Sequence, residues 1–506
     1  MERVAYIEVN NFMAKLIIAE SKTNAFFNIL AKRVVPVDLG KDLEKDHFLK
    51  RGQIDDCIEV LKQFRKTCDM YKVDRTSAIA TFLNENRPKN VISFFDEVYI
   101  RCGFRVSVID NLAQNNDLFV AIQNSIDGAK NLICQIDFDS IRLLQTNRRN
   151  ILNSVVYPFG PLSLLSLFPE EQYTSAEERY NAIKEYITTE VDAINFSGDL
   201  KGVQFVGVGR YFDDLAKMIR KYRKYPFEIS HGYNMEIADI DYIFSQIEPM
   251  GLDKEKKIKG LEEGRIDTFL LSLFMIKEIM RKFEMTQAIF SRNGILEGAI
   301  LNDSLEPTPE KPVLDMVDLS LAGCTIGYTE QQLAHSRQVL GLAVNLFKEL
   351  RVLHKLNKGY LKILKVAAFL HDVGYNVDYF KHSAHSSYIM RSKGINGLTH
   401  REQILAGFVA SIHHGEELNL SDWLKYSSLY IEGDADAVQK LGVILQIAEG
   451  LDISMQSVIT EVNCDILGDS VIFKTEANED KSYEVQEAGL ASKKFEKFFK
   501  KRMEIL

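Results

Sequence analysis

Cysteine, proline and tryptophan are all scarce in this chain of 506 residues, and their scarcity excludes whole classes of protein. The six cysteines (57, 68, 102, 134, 324 and 464) form no CxxC pair and no zinc-type spacing, so they read as reduced thiols. Ten prolines and one tryptophan leave no low-complexity tract, and no repeat of solenoid type is present. Long apolar runs are missing too. The densest, Phe269–Ile276, falls far short of the roughly 20 residues that cross a bilayer. Positive charge is not in excess: 62 Lys and Arg against 71 Asp and Glu give −9, which argues against general nucleic-acid binding. The stretch from Met1 to Ile18 lacks the layout of a secretory signal. The expectation is a cytoplasmic protein with neither a nucleic-acid nor a membrane partner.

At this length, with 46% hydrophobic residues, two to four domains with ample cores are expected. Apolar patterning predicts strands at Val4–Val9, Lys15–Glu20 and Phe26–Val35. A helix over Ile54–Tyr71, a strand over Ser77–Phe82, a helix over Val91–Cys102 and a strand over Phe104–Ile109 follow. A second round begins with a hairpin of Asn131–Ile136 and Ile141–Thr146 and a strand at Ile151–Tyr157. It continues with a helix over Ala176–Ala193, a strand at Gln204–Val208 and a helix over Phe212–Arg223. This repetition predicts a duplicated α/β fold.

An apolar helix, Asp267–Arg281, and a strand, Gln287–Ser291, precede the proline-bearing segment from Leu305 to Pro312, the clearest linker. From Glu330 to about Ile453 the pattern is all-helical. A hairpin over Ile459–Thr475 and a basic amphipathic helix, Ser492–Met503, close the chain. The expected divisions are 1–125 and 126–304 for the two α/β halves, 305–328 for the linker, 329–457 for the helical domain and 458–506 for a small α/β tail.

Metal-ligand side chains are what the chain does concentrate. His335, His371, Asp372, His382, His413, His414 and Asp452 all fall in the helical stretch and include five of the ten histidines. Imidazoles and carboxylates at that density suit one or two divalent ions, Mn, Fe or Mg, which activate water and neutralise phosphate oxygens. His371 and Asp372 close an apolar helix, so both project from its end into one cavity and are the candidate catalytic pair. A bridging carboxylate can hold two ions together. The reading is His335, His371, Asp372 and Asp452 on one ion, and His382, His413 and His414 on the other. His385 is a second candidate for the place given to His382.

This arrangement resembles the HD superfamily of metal-dependent phosphohydrolases, through His335, the pair in Leu370-His371-Asp372-Val373-Gly374, and the aspartate ending Ala448-Glu449-Gly450-Leu451-Asp452. Many HD enzymes carry a phosphate-contacting lysine just after that run, where this chain has Tyr375. Over nearly its whole length the chain also resembles the exopolyphosphatase/guanosine pentaphosphate phosphohydrolase (Ppx/GppA) family. Val206-Gly207-Val208-Gly209 leading into Leu215-Ala216, His231-Gly232-Tyr233 and Gly260-Leu261 through Arg265 to Asp267 carry that likeness. So do Gly294-Ile295-Leu296-Glu297-Gly298, with Leu296 replacing an arginine, and Phe495-Glu496 with Phe499. The resemblance implies a duplicated actin-like (ASKHA) fold, then an all-α HD domain and a small α/β tail. It also implies a phosphate-rich small molecule or polyphosphate as partner, and a possible homodimer.

The family's phosphate loops, however, are degraded here. A glycine/serine turn after the first strand lets phosphate reach backbone N–H groups. The equivalent stretch runs from Ile7 to Lys15: it keeps Glu8 and Lys15, places Asn10 and Asn11 in the turn, and adds Phe12 and Met13. The second loop, normally D-x-G-G-G-S-x-E, aligns with Gln135 to Arg142, where Asp137, Phe138 and Asp139 replace the glycines before Ser140. The run that carries the family's catalytic glutamate aligns with Asn111-Leu112-Ala113-Gln114-Asn115, which offers no general base. The actin-like active site is therefore expected to be inactive. Lys217, Arg220, Lys221, Arg223 and Lys224, interleaved with Tyr222 and Tyr225, form a line of cations that suits a chain of phosphates.

The functional expectation is a phosphohydrolase acting at the HD domain on phosphoanhydride or phosphoester bonds, in polyphosphate or guanosine polyphosphate-like substrates. The competing reading is a catalytically inactive sensor or scaffold that binds polyphosphate or a nucleotide. A third, hydrolysis at the actin-like site through Glu8, Asp137 or Asp139, ranks last.

Overall fold

The computed structural model describes residues 2–22, 26–40, 43, 47–82, 87–196, 200–253, 257–258, 260–262, 264–304, 316–325 and 327–506. The chain divides into two compact units, Met1–Lys224 with Ser230–Leu314, and Tyr225–Ile229 with Asp315–Leu506. The proline-bearing segment read as a linker lies outside the described residues.

The first unit is built on two sheets. β1 (Glu2–Val9), β2 (Met13–Lys22), β3 (Phe26–Pro36), β4 (Arg75–Ala80) and β5 (Val106–Val108) run in the order β3-β2-β1-β4-β5. The first three are antiparallel, and β4 and β5 run parallel to β1. The second sheet contains β6 (Lys130–Ile136), β7 (Ile141–Asn147), β8 (Ile151–Tyr157), β9 (Gln204–Val208), β10 (Asn234–Glu236) and β11 (Gln287–Ser291), ordered β10-β11-β9-β6-β7-β8. Setting aside the short edge strand β10, the second sheet repeats the first strand for strand. Parallel neighbours need crossover helices. Arg51–Met70 is one, burying Ile54, Cys57, Ile58, Leu61, Phe64 and Cys68 at helical spacing.

Two helices lie between these sheets, and neither was expected from the sequence pattern. Asn111–Gln123 packs Leu118 and Ile122 among the residues of β6, β7 and β9, while Ile295–Ser304 places Leu296 and Ile300 against Val4, Tyr6 and Ile17 of the first sheet. They meet at Gly298, where an added Cβ would stand 1.8 Å from the Asp117 carbonyl oxygen. The expected division at 125/126 does not separate two bodies, because Ile295–Ser304 returns to the first sheet.

The second unit is a helical bundle with a three-stranded sheet, β12 (Ile459–Ile466), β13 (Ser470–Ala477) and β14 (Arg502–Ile505). Sheet and bundle share one core: Ile459, Val471, Phe473, Phe495 and Phe499 belong to the same buried cluster as Leu346, Leu364, Phe408 and Leu445. The tail expected at 458–506 is thus an integral part of the helical unit. Its last helix, Ser492–Phe499, docks Phe495 and Phe499 inward and stops at Lys500, which takes a left-handed conformation. Met503, expected on that helix, belongs to β14. No helix among the described residues is long and apolar enough to cross a membrane.

Candidate functional site

The helix Gly359–Leu370 ends at His371, and the next residue, Asp372, leads into a tight turn over Val373–Asn376. His335 comes from Glu330–Glu349, His382 opens His382–Ser392, His413 follows His400–Ser411, and Glu449 lies on Asp434–Gly450. Four of these helices turn apolar residues to the core, whereas His382–Ser392 buries Ser383, Ser386 and Ser387 with Met390. His335, His371, Asp372, His382, His413 and Glu449 are all buried.

Asp372 is the hub. Its Oδ2 lies 3.4 Å from His371 Nε2 and 3.6 Å from His335 Nε2, while Oδ1 lies 3.6 Å from His382 Nε2 and 3.9 Å from His413 Nε2. Two imidazoles therefore face each carboxylate oxygen. Glu449 adds a second carboxylate, 3.5 Å from His413 and 3.4 Å from His414 Nδ1. Four donor atoms converge in each of two overlapping groups: His371, Asp372, His413 and Glu449, and His382, His413, His414 and Glu449.

The protonation pattern follows from the other ring nitrogens. His371, His382 and His413 each place Nδ1 against the carbonyl oxygen three residues earlier, Ala368, Tyr379 and Ala410 respectively. A carbonyl only accepts, so each Nδ1 carries a proton, and in the neutral ring each Nε2 presents a lone pair to the cluster. His335 is oriented in the same sense by Asp452, whose Oδ2 lies 2.8 Å from its Nδ1. Histidine ligands of metals are held this way, by a hydrogen bond at the remote nitrogen.

This assembly has too many acceptors and too little positive charge. His335 and His371 bring their Nε2 atoms to 3.2 Å, and Asp372 Oδ1 is buried without a hydrogen-bond partner. Burial disfavours charge on His371, yet Asp372 and Glu449 outweigh it and push its pKa up to about 9. Burial also opposes ionisation of Asp372 and Glu449, but the surrounding histidines hold both carboxyls below their usual range. Protons thus collect where a cation would satisfy the same groups. The donor set, nitrogen and carboxylate oxygen without thiolate, fits a divalent transition metal or Mg²⁺.

Asp452, read as a ligand, holds His335 with one oxygen and accepts the Ser457 N–H with the other at 2.7 Å; it stands in neither convergent group. His335 likewise stands in neither group, and Glu449, three residues before Asp452, stands in both. His385 stands in neither group. Tyr375 stacks on His382, with centroids 4.1 Å apart and planes at 10°.

The first unit has a cavity of about 470 Å³ whose lining includes Glu8, Lys15, Asp137, Arg210, Lys217 and Glu297. Four of its cations are paired with carboxylates: Lys15 with Glu8 at 3.0 Å, Lys32 with Glu297 at 2.6 Å, Lys217 with Asp213 at 2.6 Å, and Arg210 with Glu262. The turn after β1 offers no open N–H cradle. Asn10 Oδ1 accepts from Phe12 N at 3.0 Å and from Met13 N at 2.8 Å. The turn is also latched to the β6–β7 loop. Asn11 donates to Asp139 at 2.8 Å, and the Phe12 and Phe138 rings stand 5.4 Å apart. Ser140 O accepts the Asp137 N–H within that loop.

The model of the Ppx/GppA phosphatase family matches residues 17–306, and that of its domain III matches 329–492. The chain belongs to the Ppx/GppA phosphatase family. Among solved structures it is similar to the Aquifex aeolicus member of the Ppx/GppA family, with 23% identity and a TM-score of 0.50 over 60% of this chain and 97% of that one. An exopolyphosphatase from Cytophaga hutchinsonii gives 18% identity and a TM-score of 0.51 over 60% and 98%. These likenesses carry the actin-like fold of the N-terminal part. A bifunctional 3-dehydroquinate synthase/phosphatase of Fusobacterium nucleatum is 25% identical over 309 residues, 59% of this chain. The chain spans 46% of that relative's length.

For a Ppx/GppA member the rewiring around Arg142 is informative. Arg142 stands where the second loop's glutamate is expected, and it is buried. It donates to Gln114 Oε1 at 2.6 Å and also to Asn115 Oδ1, both in the run aligned with the catalytic glutamate. A cation among neutral amides has replaced acids. The basic run does not gather at the cavity either: Lys217 lines it, whereas Arg220, Lys221, Arg223 and Lys224 do not, and Arg223 bonds Asp239 at 2.6 Å.

Proposed function

We propose that this Ppx/GppA homologue is a metal-dependent phosphohydrolase whose catalytic centre is an HD-type cluster in the helical unit. His335, His371, Asp372, His382, His413 and Glu449, with His414 at the edge, would hold one or two divalent ions. The substrates are phosphoanhydrides or phosphoesters of the polyphosphate or guanosine polyphosphate kind. Bound there, the ions would lower the pKa of water and neutralise phosphate oxygens. The chain's own residues do the positioning. Carbonyl oxygens lock three imidazoles by their Nδ1 protons, Asp452 locks the fourth, and Asp372 stands between the two pairs. The observation that carries the reading is the unpartnered Asp372 Oδ1 at the centre of four inward-facing Nε2 atoms.

The test is metal analysis of the full chain, with phosphate release measured on polyphosphate, guanosine pentaphosphate and a generic phosphodiester, in the wild type and in His371→Ala/Asp372→Ala. Stoichiometric metal and turnover, both lost in the variant, are expected. Metal-free protein, or turnover that survives the double substitution, would overturn the reading. One observation favours a second reading, a sensor or scaffold that binds without hydrolysing: both phosphate loops of the actin-like unit spend their polar groups on each other. Stoichiometric metal with no turnover on any of the three substrates is the result that would select it.

A further inference from the structure

Tyr328 places an unused polar atom beside the histidine cluster. It immediately precedes Thr329, the cap of the helix that carries His335. Its ring packs on the core of the helical unit, and its hydroxyl oxygen is buried without a hydrogen-bond partner. Asp372 and Tyr375 are near enough for their charges to act on this phenol. Tyr375 itself stacks on His382 and makes no side-chain hydrogen bond among the described residues. Tyr328 therefore keeps its hydroxyl unspent, while the Tyr375 ring covers His382.

Buried hydroxyls in native proteins are nearly always paired, so an orphan calls for a partner that comes and goes. The partner has to accept a hydrogen bond, because Asp372 and Glu449 already crowd the site with acceptors and a phenol is its spare donor. A phosphoryl oxygen meets that requirement. We propose that Tyr328 donates a hydrogen bond to a phosphoryl oxygen of the substrate, with Tyr375 as a second donor on the same group. The proposal rests on the phosphohydrolase reading of the cluster. It gives the site neutral donors at the place where the resemblance to HD enzymes leads one to look for a lysine.

The test uses the full-length chain loaded with Mn²⁺ and inorganic phosphate as the probe, titrated by calorimetry into wild type, Tyr328→Phe and Tyr375→Phe. A hydrogen bond to a charged acceptor is worth about tenfold or more in affinity. Y328F is expected to weaken phosphate binding by that factor at unchanged manganese content, and Y375F to weaken it by less. The metal-free Y328F protein should melt no lower than metal-free wild type, since its hydroxyl has no partner to lose. Equal phosphate affinity in wild type and Y328F overturns the proposal. So does a wild type that holds manganese but no phosphate, or a Y328F protein that melts lower or fails to fold, which would make the hydroxyl structural. A wild type that binds no manganese removes the phosphohydrolase reading first, and the proposal with it.

Discussion

His382 and His413 point their Nε2 atoms at each other across 3.2 Å, each with its Nδ1 bonded to the carbonyl three residues earlier. With both rings neutral and protonated at Nδ1, neither has a proton to give the other, so the contact sets two lone pairs against each other. Such a pair is stable only with positive charge between or beside it. Divalent metal should therefore stabilise the helical unit strongly. At a concentration about 100 times the Kd the linkage term is about 2.7 kcal/mol, which raises Tm by roughly 5–10 °C for a unit of this size. Thermal melts with Mn²⁺ and with EDTA would measure it, and Asp372→Ala should melt at the same temperature in both. A wild type indifferent to metal would contradict this account.

Gly374 sets the distance between the His371–Asp372 turn and the helix His382–Ser392. A Cβ there would stand 2.2 Å from His382 O and 2.5 Å from Ser386 N, both backbone atoms that cannot move alone. Gly374→Ala should cost about 2–4 kcal/mol and displace His382, lowering metal content along with stability. Urea unfolding and metal analysis of the same preparation would check both. A variant with wild-type stability would mean that the turn and helix do not pack this closely.

The parts of the fold that are legible in the sequence are those where one face is apolar and the other is not. Ile54–Tyr71 reads as a helix because its stripe is unbroken, and β6 and β7 read as a hairpin from their length and apolar content. The helix Asn111–Gln123 escapes that reading because it buries Gln114, Asn115 and Gln123 as well as Leu118, Phe119 and Ile122, which erases the contrast between faces. Its one local signal is Asp110, which caps it by accepting from Ala113 N. Glu449 escapes for a different reason. It lies one helical turn before Asp452, and a motif read for its final aspartate passes over the carboxylate that faces the histidines. The internal pairing of cations around Lys217 is a tertiary fact that no run of basic residues announces.

Asp139 provides a pH-dependent test of the latched loops. Burial pushes its carboxyl up to about 6, against the pull of Asn11, which donates to it. A carboxyl whose folded pKa lies above its unfolded value of about 3.9 favours folding fully below that value, and the gain is lost as pH rises through about 6. At pH 7 the ionised group should cost on the order of 1–3 kcal/mol relative to a neutral one. Asp139→Asn keeps an acceptor for Asn11 and removes the charge. It should raise the unfolding midpoint of the first unit at pH 7, with the difference vanishing by about pH 4. A D139N protein that is less stable at pH 7 would show that the carboxylate is needed in its charged form.

Glu8 separates the two units as seats of catalysis. It is buried beneath the turn after β1, accepting from Lys15 at 3.0 Å and from Thr81 at 2.9 Å, so its oxygens are already committed. A general base needs a free lone pair within reach of the attacking water. The amides of Gln114 and Asn115 hold Arg142 and offer no base in its stead. Glu8→Gln should therefore leave phosphate release within about twofold of wild type, while His371→Ala should lower it by at least about 100-fold, the range typical for a group that acts directly on the reaction. Initial rates on polyphosphate, taken with both variants at the same added manganese concentration, decide the matter. A rate abolished by E8Q and spared by H371A would return the chemistry to the actin-like unit and leave the histidine cluster as a structural or regulatory metal site.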